Sequence, residues 1–148
     1  MSSHRELVQA QIAEALKARD TARLSTLRLL LSEVKNKAIE LGAEVSEDDF
    51  LRVVHKGIKQ RQESAKQYLE GGRDELAAKE QAESEVLEGF LPPQASEEEI
   101  RAAITEFLAS SEVTGPAAIG AVMKAMMQRF AGSADRGTLS RLAREILG

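Results

Sequence analysis

The chain has 148 residues, of which 43% are hydrophobic, 30% charged and 3% aromatic, and its formal net charge is −4. This length suits one domain, or one helical domain with a small appendage, and the aliphatic composition favours helices packed on helices over a sheet. Because Cys is absent, disulfides and cysteine-based zinc or thiol chemistry are excluded. No apolar run follows the N-terminus or approaches the roughly 20 residues that span a bilayer. We therefore expect a cytoplasmic protein with no membrane partner.

Apolar residues at helical spacing predict two helices at the start of the chain. The first covers about residues 3–18, and Asp20 lies where a helix break and a new N-cap are expected. In the second helix, apolar positions are spaced by 3 and 4 residues from Leu24 to Leu41, which is typical of helices that pack nearly antiparallel. Gly42 then supplies the left-handed residue that commonly ends a helix.

A third and a fourth helix follow. Ser46 is predicted to cap a long third helix, whose inner face includes Arg61 among apolar residues. The fourth helix covers about residues 74–89, with Glu83 on its inner side. It stops before Pro92-Pro93, because proline lacks an amide donor and restricts the residue before it.

The remaining residues predict three short helices. A full capping box, Ser96-Glu-Glu-Glu99, opens the fifth helix, Pro116 stands early in the sixth, and Thr138 is a candidate cap of the seventh. We therefore predict an all-α fold, in which an N-terminal four-helix domain of residues 1–92 is followed by a small three-helix C-terminal domain of residues 96–148.

Charge is distributed unevenly along these predicted helices. Residues 71–100 carry two Lys or Arg against nine Asp or Glu, which indicates a solvated acidic face or, alternatively, a docking patch for a basic partner. The outer face of the third helix instead carries cations at 3-, 4- and 7-residue spacing. A solvated face is the ordinary interpretation, but such a stripe can also contact phosphates. Its members are Arg52, Lys56, Lys59, Gln60 and Lys66.

Residue types that carry catalysis or bind metals do not converge in the sequence. The two histidines, His4 and His55, have no neighbouring ligand at metal-site spacing, and no Gly-x-Ser-x-Gly, Ser-Lys or phosphate-loop pattern occurs. Ser46 and Ser96 are interpreted as helix caps rather than nucleophiles. We therefore expect no catalytic residue, no metal and no cofactor.

The most informative segment is the turn between the sixth and seventh helices, Gly132–Gly137. Glycine permits a tight reversal there, and Asp135 can cap the following helix through its carboxylate. Alternatively, the turn and the two helix ends form one contact surface for RNA, since amides at a helix N-terminus favour phosphate. The candidate binding residues are Lys124, Ser133, Asp135, Arg136 and Arg141, with Arg129 and Arg144 adding positive charge nearby.

Several motifs resemble the GatB/YqeY family, and together they extend over nearly the whole chain. The C-terminal motifs look like the tail module shared by YqeY-like proteins and the B subunit of the glutamine-dependent tRNA amidotransferase. The motifs are Arg23-Leu-Ser-Thr-Leu-Arg28, Lys59-Gln-Arg61, Leu87-x-x-Phe90-Leu91-Pro92, Gly120-x-Val122-Met123-Lys124, Gly132-x-Ala134-Asp135 and Leu139-x-x-Leu142.

The resemblance implies a four-helix domain followed by a three-helix domain. It also implies a link to tRNA, because in the amidotransferase this tail contacts tRNA while the chemistry takes place elsewhere. We therefore expect an accessory protein that binds tRNA, or a protein that modifies or aminoacylates tRNA, without catalysis of its own. Two alternatives stay open: a protein-docking factor that uses the acidic fourth helix, and a participant in carbon–nitrogen ligation with glutamine as amido donor.

Overall fold

A computed structural model describes residues 3–112 and 114–148, and every regular element within them is a helix. These residues form seven α-helices, and a single turn of 3-10 helix, Pro116–Ala118, precedes the sixth. The all-helical expectation is confirmed. The helices are α1 (His4–Ala18), α2 (Thr21–Leu41), α3 (Glu47–Glu70), α4 (Asp74–Glu88), α5 (Glu97–Ala109), α6 (Ile119–Arg129) and α7 (Arg136–Leu147).

The chain separates into two compact units, residues 1–91 and residues 92–148. The first unit contains α1 to α4 and the second contains α5 to α7. That these units are domains with the boundaries 1–92 and 96–148 stays a prediction. Among the described residues, no helix combines the length and the apolar character needed to cross a membrane.

Side-chain caps explain where five of the helices begin. In each case a side-chain oxygen accepts a hydrogen bond from the backbone amide three residues ahead, which satisfies a donor that the helix itself cannot pair. Ser96 forms the complete capping box predicted for it. The prediction of Thr138 as a cap is wrong, because Thr138 lies inside the first turn of α7 and its amide donates to Asp135. The capping residues are Ser3, Asp20, Ser46, Ser96 and Asp135.

The core of the first unit combines aliphatic side chains on all four helices with Phe50 of α3 and with Val45, which precedes α3. In α2 the buried apolar residues are Leu27, Leu30 and Val34, whereas Leu31, which the predicted seam placed between Leu27 and Val34, is only partly buried. Leu41, at the end of the same seam, is 45% exposed. The reason is length: α2 has 21 residues, whereas α1, which packs against it after a short turn, has 15. The last turns of α2 therefore extend past their partner.

The most extensive helix contact of the first unit joins α3 and α4. A Cβ atom added at Gly57 would come within 3.0 Å of the Leu87 Cδ1 atom, so α4 packs closely on α3 at this glycine. Arg61, one turn further along α3, is buried. Its Nη1 donates to the Gly57 carbonyl at 3.1 Å, and its Nε lies 3.3 Å from Glu83 Oε2. The inner face of α3 thus contains a charge that a carboxylate of α4 balances.

We expect Glu83→Ala to lower the free energy of unfolding by about 2 kcal/mol, because a nearly buried guanidinium loses its carboxylate partner. The expected loss is below that for a fully buried pair, since the Glu83 side chain is 24% exposed. Urea denaturation followed by circular dichroism measures the change. Glu85→Ala, which removes an exposed acid from the same helix, is the matched control and should change stability by less than about 0.5 kcal/mol. Equal losses in the two variants would contradict the role assigned to the ion pair.

Candidate nucleic-acid interface

The core of the second unit determines which faces of α6 and α7 meet solvent. Val122 and Met126 of α6 pack with Leu139 and Leu142 of α7, and all four are buried. Because these residues recur at helical spacing, the opposite side of each helix remains exposed. The five candidate binding residues lie on those exposed sides or in the turn between the helices.

Backbone hydrogen bonds hold the turn between α6 and α7 in one shape. Gly132 has a φ of +76°, which side chains other than glycine rarely adopt, and the Ser133 amide donates to the Phe130 carbonyl at 2.8 Å. The carbonyls of Gly132 and Ser133 accept from the Gln94 side-chain amide and the Ala95 backbone amide, each at 2.8 Å. Ser133 thus supports the turn through its backbone. Its hydroxyl makes no hydrogen bond to the described part of the chain, so it can serve a ligand.

Asp135 is the N-cap of α7. Its carboxylate accepts hydrogen bonds from the Thr138 amide at 3.3 Å and from the Thr138 hydroxyl at 2.6 Å. The cap places a negative charge at the positive end of the helix dipole, so an anion that approaches this end meets a carboxylate already in place. Asp135 therefore shapes the turn, and attraction for a phosphate must come from neighbouring cations.

Two further cations lie on the helices that this turn joins: Lys124 near the middle of α6, and Arg136 at the start of α7. Both are exposed, and neither forms an ion pair with the residues that the structure describes. Lys124 shares its face of α6 with the small exposed residues Gly120 and Ala121, and Arg136 is the first residue of α7. Because these two neighbours have little or no side chain, a large ligand can reach the Lys124 ammonium group.

Arg141, in contrast, has two carboxylate partners. Its Nη2 donates to Glu97 Oε2, and its Nη1 donates to Glu145 Oε1 at 3.3 Å. Arg101 Nη2 lies 3.1 Å from Glu145 and 3.7 Å from Glu97. The hydrogen bond and the charge of Glu97 raise the pKa of Arg141, while the hydrogen bond from Arg101 lowers the pKa of Glu145. These four side chains form a neutral, exposed network, which we call the Arg–Glu network. Arg141 offers a ligand free charge only by leaving it.

Arg129 and Arg144, the two arginines expected to add positive charge nearby, also differ in whether they are paired with a carboxylate. Arg129 lies 3.5 Å from Glu106 and 5.9 Å from the centre of the Phe130 ring, so a carboxylate and an aromatic face already attract its charge. Arg144 is exposed, and no ion pair involving it occurs among the described residues. In this unit the structure therefore separates cations that are paired with glutamates from cations that are not.

The histidines do not belong to a metal site in the described chain. The His4 ring stacks on Phe50 with centroids 4.7 Å apart, and His55 Nε2 is buried without a hydrogen-bond partner. Residues 3–112 and 114–148 contain no group of three His, Asp or Glu side chains placed to hold a metal ion.

A cleft of about 450 Å³ between α2 and α3 was not expected from the sequence. Two of its charged pairs lie within single helices: Lys37 with Glu40 at 3.6 Å, and Arg52 with Asp49 at 3.5 Å. The apolar spacing of α3 predicted that its cleft-lining residues lie on an outer face. It could not predict which residues of α2 they would lie beside. The charged lining residues are Glu33, Lys37, Glu40, Asp49, Arg52 and Lys56.

The Arg–Glu network predicts that Glu145 titrates below its ordinary pKa, which NMR of the side-chain carboxyl carbon can measure. In Arg101→Gln this pKa should rise towards its ordinary value, because the hydrogen bond from Arg101 is the largest cause of the shift. The folded-state pKa lies below the unfolded-state pKa. The stability that Glu145 contributes is therefore present above the unfolded-state pKa and is lost as the pH falls through the folded-state pKa.

Arg129→Gln is the control for this titration, because it removes an arginine of the same unit that lies outside the Arg–Glu network. The pKa of Glu145 should be the same in this control as in the unchanged protein. If the pKa of Glu145 did not move in Arg101→Gln, the network would not be the cause of the shift.

Curated proteins of similar sequence include one from Clavispora lusitaniae named Altered inheritance of mitochondria protein 41, mitochondrial. It is 33% identical over 131 residues, which cover 85% of this chain and 75% of the relative. The protein of the same name from Lachancea thermotolerans is 32% identical over 112 residues, covering 74% and 60%. An uncharacterized protein of Schizosaccharomyces pombe is 31% identical over 90 residues, covering 61% and 73%. The chain thus spans three quarters of the first relative but less than two thirds of the second.

The expectation of a cytoplasmic location is corrected by these relatives, since the first two, and others like them, are named as mitochondrial proteins. The reasoning behind that expectation was too coarse. It rested on the absence of an apolar run near the N-terminus and of a membrane-length segment, and neither absence identifies a compartment.

A family model described as Yqey-like protein matches residues 5–147. The match includes both compact units, in agreement with the motifs found in both parts of the sequence. The resemblance noted from those motifs is thereby confirmed, and this chain belongs to the YqeY-like family.

Proposed function

We propose that this YqeY-like protein is a helical accessory factor that binds tRNA through its second unit without catalysis of its own. In this proposal the two units act as domains, residues 1–92 and 96–148, and the second presents the contact surface. The observation that carries it is the pair of exposed cations without an ion pair to the described residues, Lys124 in α6 and Arg136 at the start of α7, on the two helices that the hydrogen-bonded turn joins. The contact residues are Lys124, Ser133, Arg136 and Arg141, with Asp135 shaping the turn.

Counterion release supports a role for these cations. A lysine or arginine without a protein partner can neutralise a phosphate and displace the counterions condensed on the RNA, and the release of these ions favours binding. The turn is also preorganised for binding, because hydrogen bonds from Gln94 and Ala95 fix its backbone in the unbound protein. The Ser133 hydroxyl, in the turn that precedes Arg136, can donate to a phosphate oxygen.

The family resemblance supports tRNA as the ligand, because the tail of the amidotransferase B subunit that this unit resembles contacts tRNA. Carbon–nitrogen ligation with glutamine is the weaker candidate. Acid–base catalysis needs ionisable groups that converge on a reacting atom. The described groups with a shifted pKa, Arg141 and Glu145, lie on an exposed helix surface and bind each other.

Fluorescence anisotropy with labelled bulk tRNA tests the proposal. Replacing Lys124, Arg136 and Arg141 together with Ala should weaken binding about ten-fold at low salt and reduce the slope of log K against log salt by about two. Arg141→Ala alone should change the affinity little, because its charge is already paired with Glu97 and Glu145.

The matched control for the tRNA titration removes three exposed cations from the first unit, at Lys17, Arg28 and Lys35. Both variants lose the same formal charge, so equal losses of affinity would mean that only net charge matters. Equal losses, or an absence of binding at low salt, would overturn the assignment of the second unit as the tRNA contact.

A protein-docking role is the second candidate, favoured by the acidic surface of α4. Asp74, Glu75, Glu85 and Glu88 are exposed, and none forms an ion pair with the described residues. A pull-down from lysate treated with nuclease separates the two functions. One stoichiometric protein that stays bound after RNA is digested, and is lost when these four acids are replaced by their amides, would favour docking over tRNA binding.

A further inference from the structure

The longest helix of the first unit carries a straight line of cations on its solvent side. With about 100° of rotation per residue, Lys56, Lys59 and Lys66 fall within an arc of about 80°. At about 1.5 Å of rise per residue, they cover roughly 15 Å along the helix axis. All three are exposed. We call Lys56, Lys59 and Lys66 the α3 stripe.

The ammonium groups of the α3 stripe form no ion pair with a carboxylate of the described chain, although α4 is rich in acids and the cleft that Lys56 lines also contains Glu33, Glu40 and Asp49. Arg61 of α3 pairs with Glu83 of α4, and this contact lies on the buried side of α3. Arg52, at the start of the same outer face, is paired with Asp49 within its own helix. The packing of α3 on α4 therefore uses one buried cation and leaves the stripe unpaired.

We propose that the α3 stripe binds the phosphate backbone of double-stranded RNA, which gives the first unit an RNA contact of its own. Each stripe lysine displaces condensed counterions from one phosphate. The choice of RNA over DNA rests on the proposed function, whereas the binding of a duplex backbone rests on the stripe itself.

The chemistry of the exposed face favours a duplex backbone over other anionic partners. The aromatic residue of α3 nearest its C-terminus, Tyr68, lies outside the arc of the stripe and is half-buried, so the stripe offers no surface for stacking single-stranded bases. Among the described large apolar residues of α3, Leu69 is exposed, and it also lies away from the stripe. A face with lysines and no apolar side chain to insert suits a regular phosphate array better than a lipid bilayer.

Titration of a fluorescein-labelled 20-base-pair RNA duplex of arbitrary sequence against the full chain tests this assignment. Replacing Lys56, Lys59 and Lys66 together with Gln should weaken binding about ten-fold or more near 50 mM salt. The slope of log K against log salt should fall by about two to three, as expected when three phosphate contacts are lost. Because all three positions are exposed, the melting temperature should stay unchanged, and the variant of Lys17, Arg28 and Lys35 to Gln serves as the charge-matched control.

A substitution that strengthens binding gives an independent test. Glu63 lies within the arc of the stripe and accepts a hydrogen bond from the Gln67 side chain at 3.5 Å. Glu63→Gln removes the negative charge that lies between Lys59 and Lys66. We expect it to tighten duplex binding about two-fold at low salt and to raise the salt slope slightly. An unchanged or weaker affinity would count against the stripe.

The outcomes distinguish this inference from the proposed function. If the α3 variant binds the duplex as the charge-matched control does, while the Lys124, Arg136 and Arg141 variant loses binding, the inference is overturned and the proposed function stands. If the α3 variant loses binding and the second-unit variant does not, the inference stands and the second-unit site is wrong. Preference for a DNA duplex of the same length, or for anionic vesicles, would overturn the assignment to RNA.

Discussion

The burial of one face of α3 fixes the rotation of that helix, and the rotation decides which of its residues meet solvent. The ion pair between Arg61 and Glu83 lies on the buried face, and its guanidinium cannot turn outward without losing the Gly57 carbonyl and the neighbouring carboxylate. The stripe lysines lie on the opposite side of the same helix. The packing that buries Arg61 therefore also leaves these lysines exposed to solvent. Gly57 lies on the same face, where an added Cβ atom would come within 3.0 Å of the Leu87 Cδ1 atom of α4.

Both units contain cations that are paired with carboxylates and cations that are not. In the second unit, Arg101, Arg129 and Arg141 are bound to glutamates that come from other helices or other turns, whereas Lys124 and Arg136 form no ion pair with the described residues. In the first unit the exposed lysines of α3 remain unpaired, although acids are abundant on α4. Arginines that are paired with carboxylates stabilise local structure and offer little free charge to a phosphate. Unpaired lysines can bind a phosphate without breaking an existing ion pair. Affinity for a polyanion therefore depends on which cations the fold leaves free, and a net charge of −4 does not describe it.

Local signals in the sequence were enough to predict the helices and their inner faces. Capping serines and aspartates, a diproline and apolar spacing predicted where the helices begin and end, and periodicity placed both Arg61 and Glu83 on inner faces. The sequence could not show that these two residues meet, because that depends on the register between two helices. The same limit hid the contact of Arg141 with Glu97, which are 44 residues apart. Thr138 was misassigned because two capping side chains stand three residues apart, and only the backbone shows that Asp135 precedes the helix.

The segment after the diproline is built into the second unit by two hydrogen bonds, from Gln94 and Ala95 to the turn at Gly132 and Ser133. A truncated protein that began at Ser96 would leave both turn carbonyls without their donors. The turn that leads into α7 would then lose two of its hydrogen bonds, and the position of Arg136 would be less well fixed. Anyone who isolates this unit for binding or NMR work should therefore start the fragment at Pro92, where the compact unit itself begins.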